Sequence, residues 1–143
     1  IVDDLRLTPK EIRAQVAKTR RALQSREREF RKGRPKPDLK DRQVILVDDG
    51  LASGYTMMAA VDFVRHKEAC QVIVAVPTAS QRTVHLLQPT ADVLVCLNVR
   101  GGPVFAVAEA YEEWYDLGDE EVIHLLQGSG VGGPGSGPGA GPP

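Results

Sequence analysis

Three short apolar runs, separated by helical patterns, limit the fold of this chain more than any other feature. The runs are Gln43–Val47, 72–76 and 93–97, and they are rich in β-branched residues without polar alternation. Such runs are typical of strands that are covered on both faces. The segments between them, 56–67 and 80–88, have the apolar spacing of helices. Strands that alternate with helices predict an α/β layered domain whose parallel strands are joined by right-handed crossovers.

A long helix is predicted before the first strand. Thr8-Pro9-Lys10-Glu11 combines a hydroxyl N-cap, a proline at the first helical position and a capping-box glutamate. A narrow apolar stripe continues the helix to about residue 31, and the second strand is predicted to stop at Pro77. After the third strand we expect a loop over 98–103, an aromatic-rich stretch, and a last helix that begins at Gly118-Asp119. The apolar stripe of the first helix consists of Ile12, Val16, Leu23 and Phe30.

The 143 residues are enough for one modest domain, which we place at residues 1–127. Residues 128–143 contain eight glycines and four prolines, and this composition predicts a disordered tail. No apolar run is long enough to cross a bilayer, so no membrane partner is expected. Cys70 and Cys96 have neither the spacing of a zinc site nor that of a disulfide scaffold. They are read as small hydrophobic residues of a protein in the reduced cytoplasm.

Charge is distributed unevenly along the chain. Residues 1–42 contain fourteen Lys and Arg against seven Asp and Glu, whereas residues 101–143 contain seven acids and no base. A basic front could attract nucleic acid. Phe30 is the only aromatic residue among these basic side chains, so we favour the solvent-exposed face of a helix, and nucleic acid is not an expected partner.

The segment with the most chemical information is 44–56. A predicted buried strand ends at two adjacent carboxylates, Asp48 and Asp49, and a loop with Gly and hydroxyl residues then opens a helix. Ligands of open α/β sheets bind beyond the carboxyl ends of the strands. The start of the helix offers unpaired N–H groups and the positive end of its dipole, which suits a phosphate.

A purely structural interpretation of this segment stays open at this point. Asp49-Gly50 is a common turn pair, and Ser53 or Thr56 could simply cap the helix. The segment matches neither a Walker loop nor the Gly-x-Gly-x-x-Gly fingerprint.

Residues 44–56 resemble the signature with which type I phosphoribosyltransferases bind phosphoribosyl pyrophosphate: four apolar residues, two acids, and a loop of the Ala-Thr-Gly-x-Thr kind. Ser53 stands in place of the usual Thr and keeps the hydroxyl. The resemblance extends over about residues 1–127 to a bacterial and archaeal branch of predicted phosphoribosyltransferases. That branch is similar in its basic helix, in a strand end like Ala75-Val76-Pro77, and in a closing block like 105–122.

The resemblance implies a Rossmann-like parallel sheet with flanking helices, and transfer of a phosphoribosyl group to a nitrogenous base with release of pyrophosphate. Asp48 and Asp49 would contact the ribose hydroxyls and support positive charge at the anomeric carbon. Mg²⁺ would arrive with the pyrophosphate and would be held mainly by ligand oxygens and water. The only protein ligands that the resemblance allows for are Asp48 and Asp49. A homodimer is left open. The residues implied to bind the 5-phosphate region are Gly50, Leu51, Ala52, Ser53, Gly54, Tyr55 and Thr56.

Two departures from the family pattern affect the expected substrate and the expected activity. Relatives that act on 6-oxopurines usually carry an acid where this chain has Ala52, which makes that substrate class less expected. The family also places its pyrophosphate loop before the basic helix, and the resemblance does not reach that loop. The alternative function is therefore a non-catalytic module that senses phosphoribosyl pyrophosphate or binds a partner.

The remaining candidates receive mainly structural interpretations. His85 is predicted to be partly buried with a structural role. Tyr111, Trp114 and Tyr115 could stack on a base, but their spacing along a possible helix favours packing in the core or in a hood over the site. Arg100-Gly101-Gly102 resembles an anion-binding turn, although the related branch has a different loop there.

Overall fold

The computed structural model describes residues 7–102 and 104–128. The elements in chain order are α1 (Pro9–Arg31), β1 (Gln43–Val47), α2 (Tyr55–Arg65), β2 (Gln71–Ser80), α3 (Gln81–Leu87), β3 (Val93–Arg100), a short 3-10 helix (Val107–Ala110) and α4 (Asp119–Gly128). The described residues form two compact units, one within 36–115 and the other made of 7–35 with 116–128. The predicted disordered tail lies, apart from Gly128, outside the described residues.

The unit 36–115 is built on a parallel sheet with the order β1-β2-β3. Val44 pairs with Val72 and Val74 pairs with Leu94, so the three apolar runs lie side by side in register. The predicted α/β class, with a parallel sheet and flanking helices, is confirmed. All carboxyl ends of a parallel sheet meet at one edge, and this places the segment after β1 beside the end of β2.

One face of the sheet forms the core. Val72, Val74 and Val76 alternate along β2 and pack, fully or almost fully buried, against Met57, Val61 and Val64 of α2 and Leu87 of α3. Both crossovers run in the same direction across the sheet. Right-handed connections of this kind put both helices on the same face.

The opposite face contradicts the prediction that the strands are covered on both sides. Ile45 and Val47 of β1 are 57% and 74% exposed, and Leu97 of β3 is 83% exposed. The prediction was wrong because a continuous apolar run does not show on which side the crossover helices lie. Within the described residues, this face remains a broad exposed apolar surface.

Two strand ends also differ from the predictions. β2 continues through Pro77 to Ser80, and β3 extends through Asn98 to Arg100, where a loop was predicted. Proline has no N–H group to donate to a neighbouring strand. This costs nothing at Pro77, because β1 pairs with β2 only as far as Val47 and Ala75. The bonding of β2 to β3 therefore continues past the proline.

The other unit contains α1 and α4. The capping box predicted at Thr8 is confirmed, since Glu11 N–H donates to Thr8 Oγ1 at 3.3 Å and Thr8 N–H donates to Glu11 Oε2 at 2.8 Å. Arg26 forms an ion pair with Asp119 at the start of α4, at 3.1 Å. No residue of α1 is buried, so its apolar stripe lies largely exposed. No helix in the described ranges has the length and apolar character that a bilayer crossing requires.

The two faces of the sheet give a first prediction. We expect Val74→Ala to lower the free energy of unfolding by about 2 kcal/mol, because it removes buried methyl groups from the closed core. The same change at the exposed Val47 should alter it by no more than about 0.5 kcal/mol. Urea unfolding followed by circular dichroism measures both. Equal losses would show that the exposed face is in fact packed.

Candidate functional site

The two acids predicted to be functional lie directly after β1 at the carboxyl edge of the sheet. Asp48 and Asp49 are both exposed, and Asp49 N–H donates to Asp48 Oδ1 at 3.1 Å. Partial removal from water raises the pKa of the Asp48 carboxyl. The hydrogen bond from Asp49 N–H opposes this pKa shift, and the neighbouring Asp49 charge adds to it. The ionised form of Asp48 is therefore less favourable in the folded chain than in water.

The raised pKa of Asp48 predicts how stability depends on pH. Its ionised form costs stability in the folded state, so the cost is absent well below the ordinary value of 3.8 and complete once pH exceeds the raised pKa. We expect Asp48→Asn to increase the melting temperature at about pH 7, by a few degrees at most. This increase should disappear near pH 3. Thermal unfolding at both pH values tests it, and a lower melting temperature at neutral pH would contradict it.

The loop that follows the acids is tied to the end of β2. Leu51 N–H donates to Thr78 O at 3.0 Å, and Ser80 N–H donates to Leu51 O at 3.2 Å. The carbonyl of Ala52 accepts a hydrogen bond from the buried hydroxyl of Thr83. These bonds fix the loop backbone before any ligand arrives.

Two glycines allow the loop to pack this closely. A Cβ at Gly50 would lie 2.6 Å from Val107 Cγ1 and 2.9 Å from Thr78 Cγ2. Gly54 has a φ of +78°, and a Cβ there would lie 2.5 Å from Thr83 Cγ2. Both positions therefore require a residue without a side chain.

The loop presents backbone donors without acceptors. Gly54 is the N-cap of α2 and supplies no side chain to bond the first turn, so the N–H groups of Tyr55, Thr56 and Met57 have no intrahelical acceptor. In the described part of the chain, the N–H groups of Ala52 and Ser53 have no hydrogen-bond acceptor either. The interpretation that Ser53 or Thr56 merely provides the N-cap is wrong, because that position belongs to Gly54. This arrangement is suited to an anion.

Tyr111 contacts the acid pair, although no local pattern in the sequence connects them. Its hydroxyl donates to Asp49 O at 2.6 Å, and its ring lies 5.1 Å from that of Trp114, centroid to centroid. Tyr111, Trp114 and Tyr115 are 37%, 42% and 65% exposed and lie in no helix, so the predicted helix and a core position are wrong. The contact between Tyr111 and Trp114 agrees with packing outside the core. Val107, four residues before Tyr111, lies against Gly50 in the same loop.

The predicted site residues divide into two groups. Leu51 is buried in the core and both its backbone groups bond to β2, while Gly50 and Gly54 are buried against neighbouring side chains. These three hold the loop in shape. The residues that reach the surface together are Asp48, Asp49, Ala52, Ser53, Tyr55 and Thr56.

An open cleft of about 720 Å³ adjoins the loop, and we call it the basic cleft. Ala52 and Ser53 line it together with Arg82 and His85 of α3, Arg100 at the end of β3, and Phe105. His85 is exposed, so the prediction that it is partly buried is wrong. The cleft forms because β3 extends to Arg100 and carries this residue to the edge where α3 begins.

The chain is similar in sequence and fold to several known proteins. Two Mycobacterium tuberculosis proteins named "Putative phosphoribosyl transferase", MT0597 and Rv0571c, are each 36% identical over 104 residues. This alignment covers 73% of the chain and 23% of each relative, so the chain spans less than a quarter of their length. The crystal structure of TT1426 from Thermus thermophilus superposes with a TM-score of 0.71 at 36% identity, over 85% of this chain and 58% of that one. The phosphoribosyl transferase domain family matches residues 4–114, and the chain belongs to this family.

Proposed function

We propose that this domain binds phosphoribosyl pyrophosphate and transfers its phosphoribosyl group to a nitrogenous base. The observation that carries the proposal is the set of unpaired amides over 52–57, next to Asp48 and Asp49 at the end of β1. A sugar phosphate has an anion at one end and a diol at the other. The site offers donors for the first and acceptors for the second within one short segment.

Each part of the segment has a role in this proposal. The loop amides and the hydroxyls of Ser53 and Thr56 bind the 5-phosphate, assisted by the dipole of α2. Asp48 and Asp49 accept hydrogen bonds from the ribose hydroxyls and stabilise positive charge that develops at the anomeric carbon. In the reaction, the bond from that carbon to pyrophosphate oxygen breaks, the bond to the base nitrogen forms, and the base nitrogen releases its proton.

The residues present also fit the predicted Mg²⁺. The described residues contain no group of three or more His, Cys, Asp or Glu side chains that could enclose a metal ion. Two exposed carboxylates are what a Mg²⁺ ion that keeps several waters and phosphate oxygens needs from a protein. When bound, the ion would neutralise charge on the leaving pyrophosphate.

Calorimetric titration tests the proposal. We expect saturable binding of phosphoribosyl pyrophosphate with Mg²⁺, binding of ribose 5-phosphate without the metal, and no detectable binding of ribose. Ribose is the matched control because it keeps the diol and lacks the phosphate. If ribose 5-phosphate and phosphoribosyl pyrophosphate both failed to bind, the proposed function would be excluded.

A second candidate is a module that binds the same ligand without catalysis. The unpaired amides of 52–57 would serve such a module equally well, because they bind the phosphate and take no part in the breaking or forming of bonds. Pyrophosphate release in the presence of common purine, pyrimidine and pyridine bases separates the two. Binding with no release for any base would support the sensing module.

A further inference from the structure

We propose that Tyr111 is a positioning residue for Asp49, and that this contact gives the site its preference for ribose over 2-deoxyribose. The inference rests on the proposed function, because it concerns how the same site holds the sugar. Tyr111 acts through Asp49 and does not need to touch the ligand.

The hydrogen bonds of Asp49 are the first argument. The hydroxyl of Tyr111 donates to Asp49 O at 2.6 Å, at the short end of the range for such bonds. In the described part of the chain, the only other hydrogen bond of Asp49 runs from its N–H to Asp48 Oδ1, inside the acid pair. The bond from Tyr111 therefore ties Asp49 to a distant segment. Because a peptide group is planar, holding this carbonyl restricts the backbone of Asp49 and the direction of its side chain.

The segment that carries Tyr111 is the second argument. The side chain of Val107 lies so close to Gly50 that a Cβ there would be 2.6 Å from Val107 Cγ1. Val107–Ala110 forms the 3-10 helix, and Tyr111 N–H donates to Ala108 O at its end, at 3.2 Å. The ring of Tyr111 also contacts Trp114. These contacts hold the hydroxyl in place before a ligand binds, as a positioning group requires.

The independence of the phosphate loop is the third argument. Leu51 is buried, and its backbone bonds to Thr78 O and to Ser80 N–H at the end of β2. The amides proposed to bind the 5-phosphate follow Leu51, so this anchor holds them without Tyr111. Loss of the Tyr111 hydroxyl should therefore affect the sugar and not the phosphate.

The carboxylate of Asp49 is the fourth argument. Within the described ranges it has no protein partner, so it is available to a sugar hydroxyl. A site that hydrogen-bonds a hydroxyl discriminates against an analogue that lacks it. The preference for ribose over 2-deoxyribose thus reports how well Asp49 is positioned.

Calorimetry with ribose 5-phosphate and 2-deoxyribose 5-phosphate tests the inference. We expect the unchanged chain to bind the ribose compound about tenfold or more tightly, because the deoxy compound lacks one hydrogen bond to a charged group. Tyr111→Phe should reduce this preference to about threefold or less, since a small misplacement of the acceptor weakens that bond. Inorganic phosphate, followed by amide chemical shifts, should bind the variant as it binds the unchanged chain, which also shows that the variant is folded.

Thr90→Val is the matched control. The Thr90 hydroxyl donates to Leu87 O at 2.7 Å, beyond the C-terminal end of α3. The change therefore also removes one bond from a hydroxyl to a main-chain carbonyl while the side chain keeps its shape. We expect this control to retain the full preference for ribose 5-phosphate.

The outcomes separate this inference from the proposed function. If Tyr111→Phe keeps the full preference, or if the unchanged chain has none, the inference is overturned and the proposed function stands. Equal weakening of both sugar phosphates and of inorganic phosphate would also overturn it, because Tyr111 would then only support the fold. The same holds for an equal loss of preference in Thr90→Val. If the unchanged chain bound neither ribose 5-phosphate nor phosphoribosyl pyrophosphate, the proposed function would fail, and the inference with it.

Discussion

Gly54→Ala is expected to destabilise the domain by about 2–4 kcal/mol and to remove detectable binding of ribose 5-phosphate. The φ of +78° disfavours any side chain, and the new Cβ would lie 2.5 Å from Thr83 Cγ2. Thr83 cannot turn away easily, because it is buried and its hydroxyl is bonded to Ala52 O and Ser80 Oγ. The loop must therefore move, and its amides move with it.

Two further variants identify the cause of that loss. Gly118→Ala is the matched control, because a Cβ there has no neighbour within 4 Å. Gly118 precedes α4 and its carbonyl accepts from Val122 N–H, so the change should cost at most about 1 kcal/mol and leave binding unchanged. Adding Thr83→Ser to Gly54→Ala removes the clashing methyl group while keeping the hydroxyl, so part of the stability should return. Chemical denaturation and calorimetry measure both quantities. Full stability and full affinity in Gly54→Ala would refute the loop geometry described here.

Replacing both acids, Asp48→Asn with Asp49→Asn, is expected to weaken binding of phosphoribosyl pyrophosphate by at least about 100-fold. A hydrogen bond to a charged group contributes about 1.5–3 kcal/mol, and the proposal gives the diol two such acceptors. Binding of inorganic phosphate should change little, because the loop amides remain. The fold should also remain, since both side chains are exposed and ionised Asp48 costs stability.

The control for the acid pair removes the same charge elsewhere. Glu112→Gln with Glu113→Gln changes two adjacent exposed acids that no proposed contact involves. We expect this control to bind phosphoribosyl pyrophosphate as the unchanged chain does. If both double variants weakened binding equally, the effect would come from overall charge, and the assignment of Asp48 and Asp49 to the ribose would fail.

Features governed by near neighbours in the sequence were predicted well. The capping box at Thr8 and the end of α1 near Arg31 depend on residues within one or two turns, and the structure reproduces both. The acid pair, the glycine and the hydroxyls of 44–56 are also contiguous, so the order of residues alone carries the resemblance to the family. The family match and the superposition with TT1426 confirm the resemblance that this segment carries.

Features governed by distant residues were missed. The passage of β2 through Pro77 depends on where β1 stops, and the exposed face of the sheet depends on the direction of both crossovers. Tyr111 reaches Asp49 across 62 positions of sequence, and Arg100 joins the basic cleft only because β3 is longer than its apolar run. No local pattern contains that information.

The central claim is that the amides of 52–57 hold a sugar phosphate at the end of β1. Amide chemical shifts, followed while ribose 5-phosphate is added, test it most directly. The account predicts saturable shifts that are largest for Ala52, Ser53, Gly54, Tyr55, Thr56 and Met57, and absent when ribose is added. Shifts confined to the basic residues of α1, or no saturable shift in the loop, would contradict it.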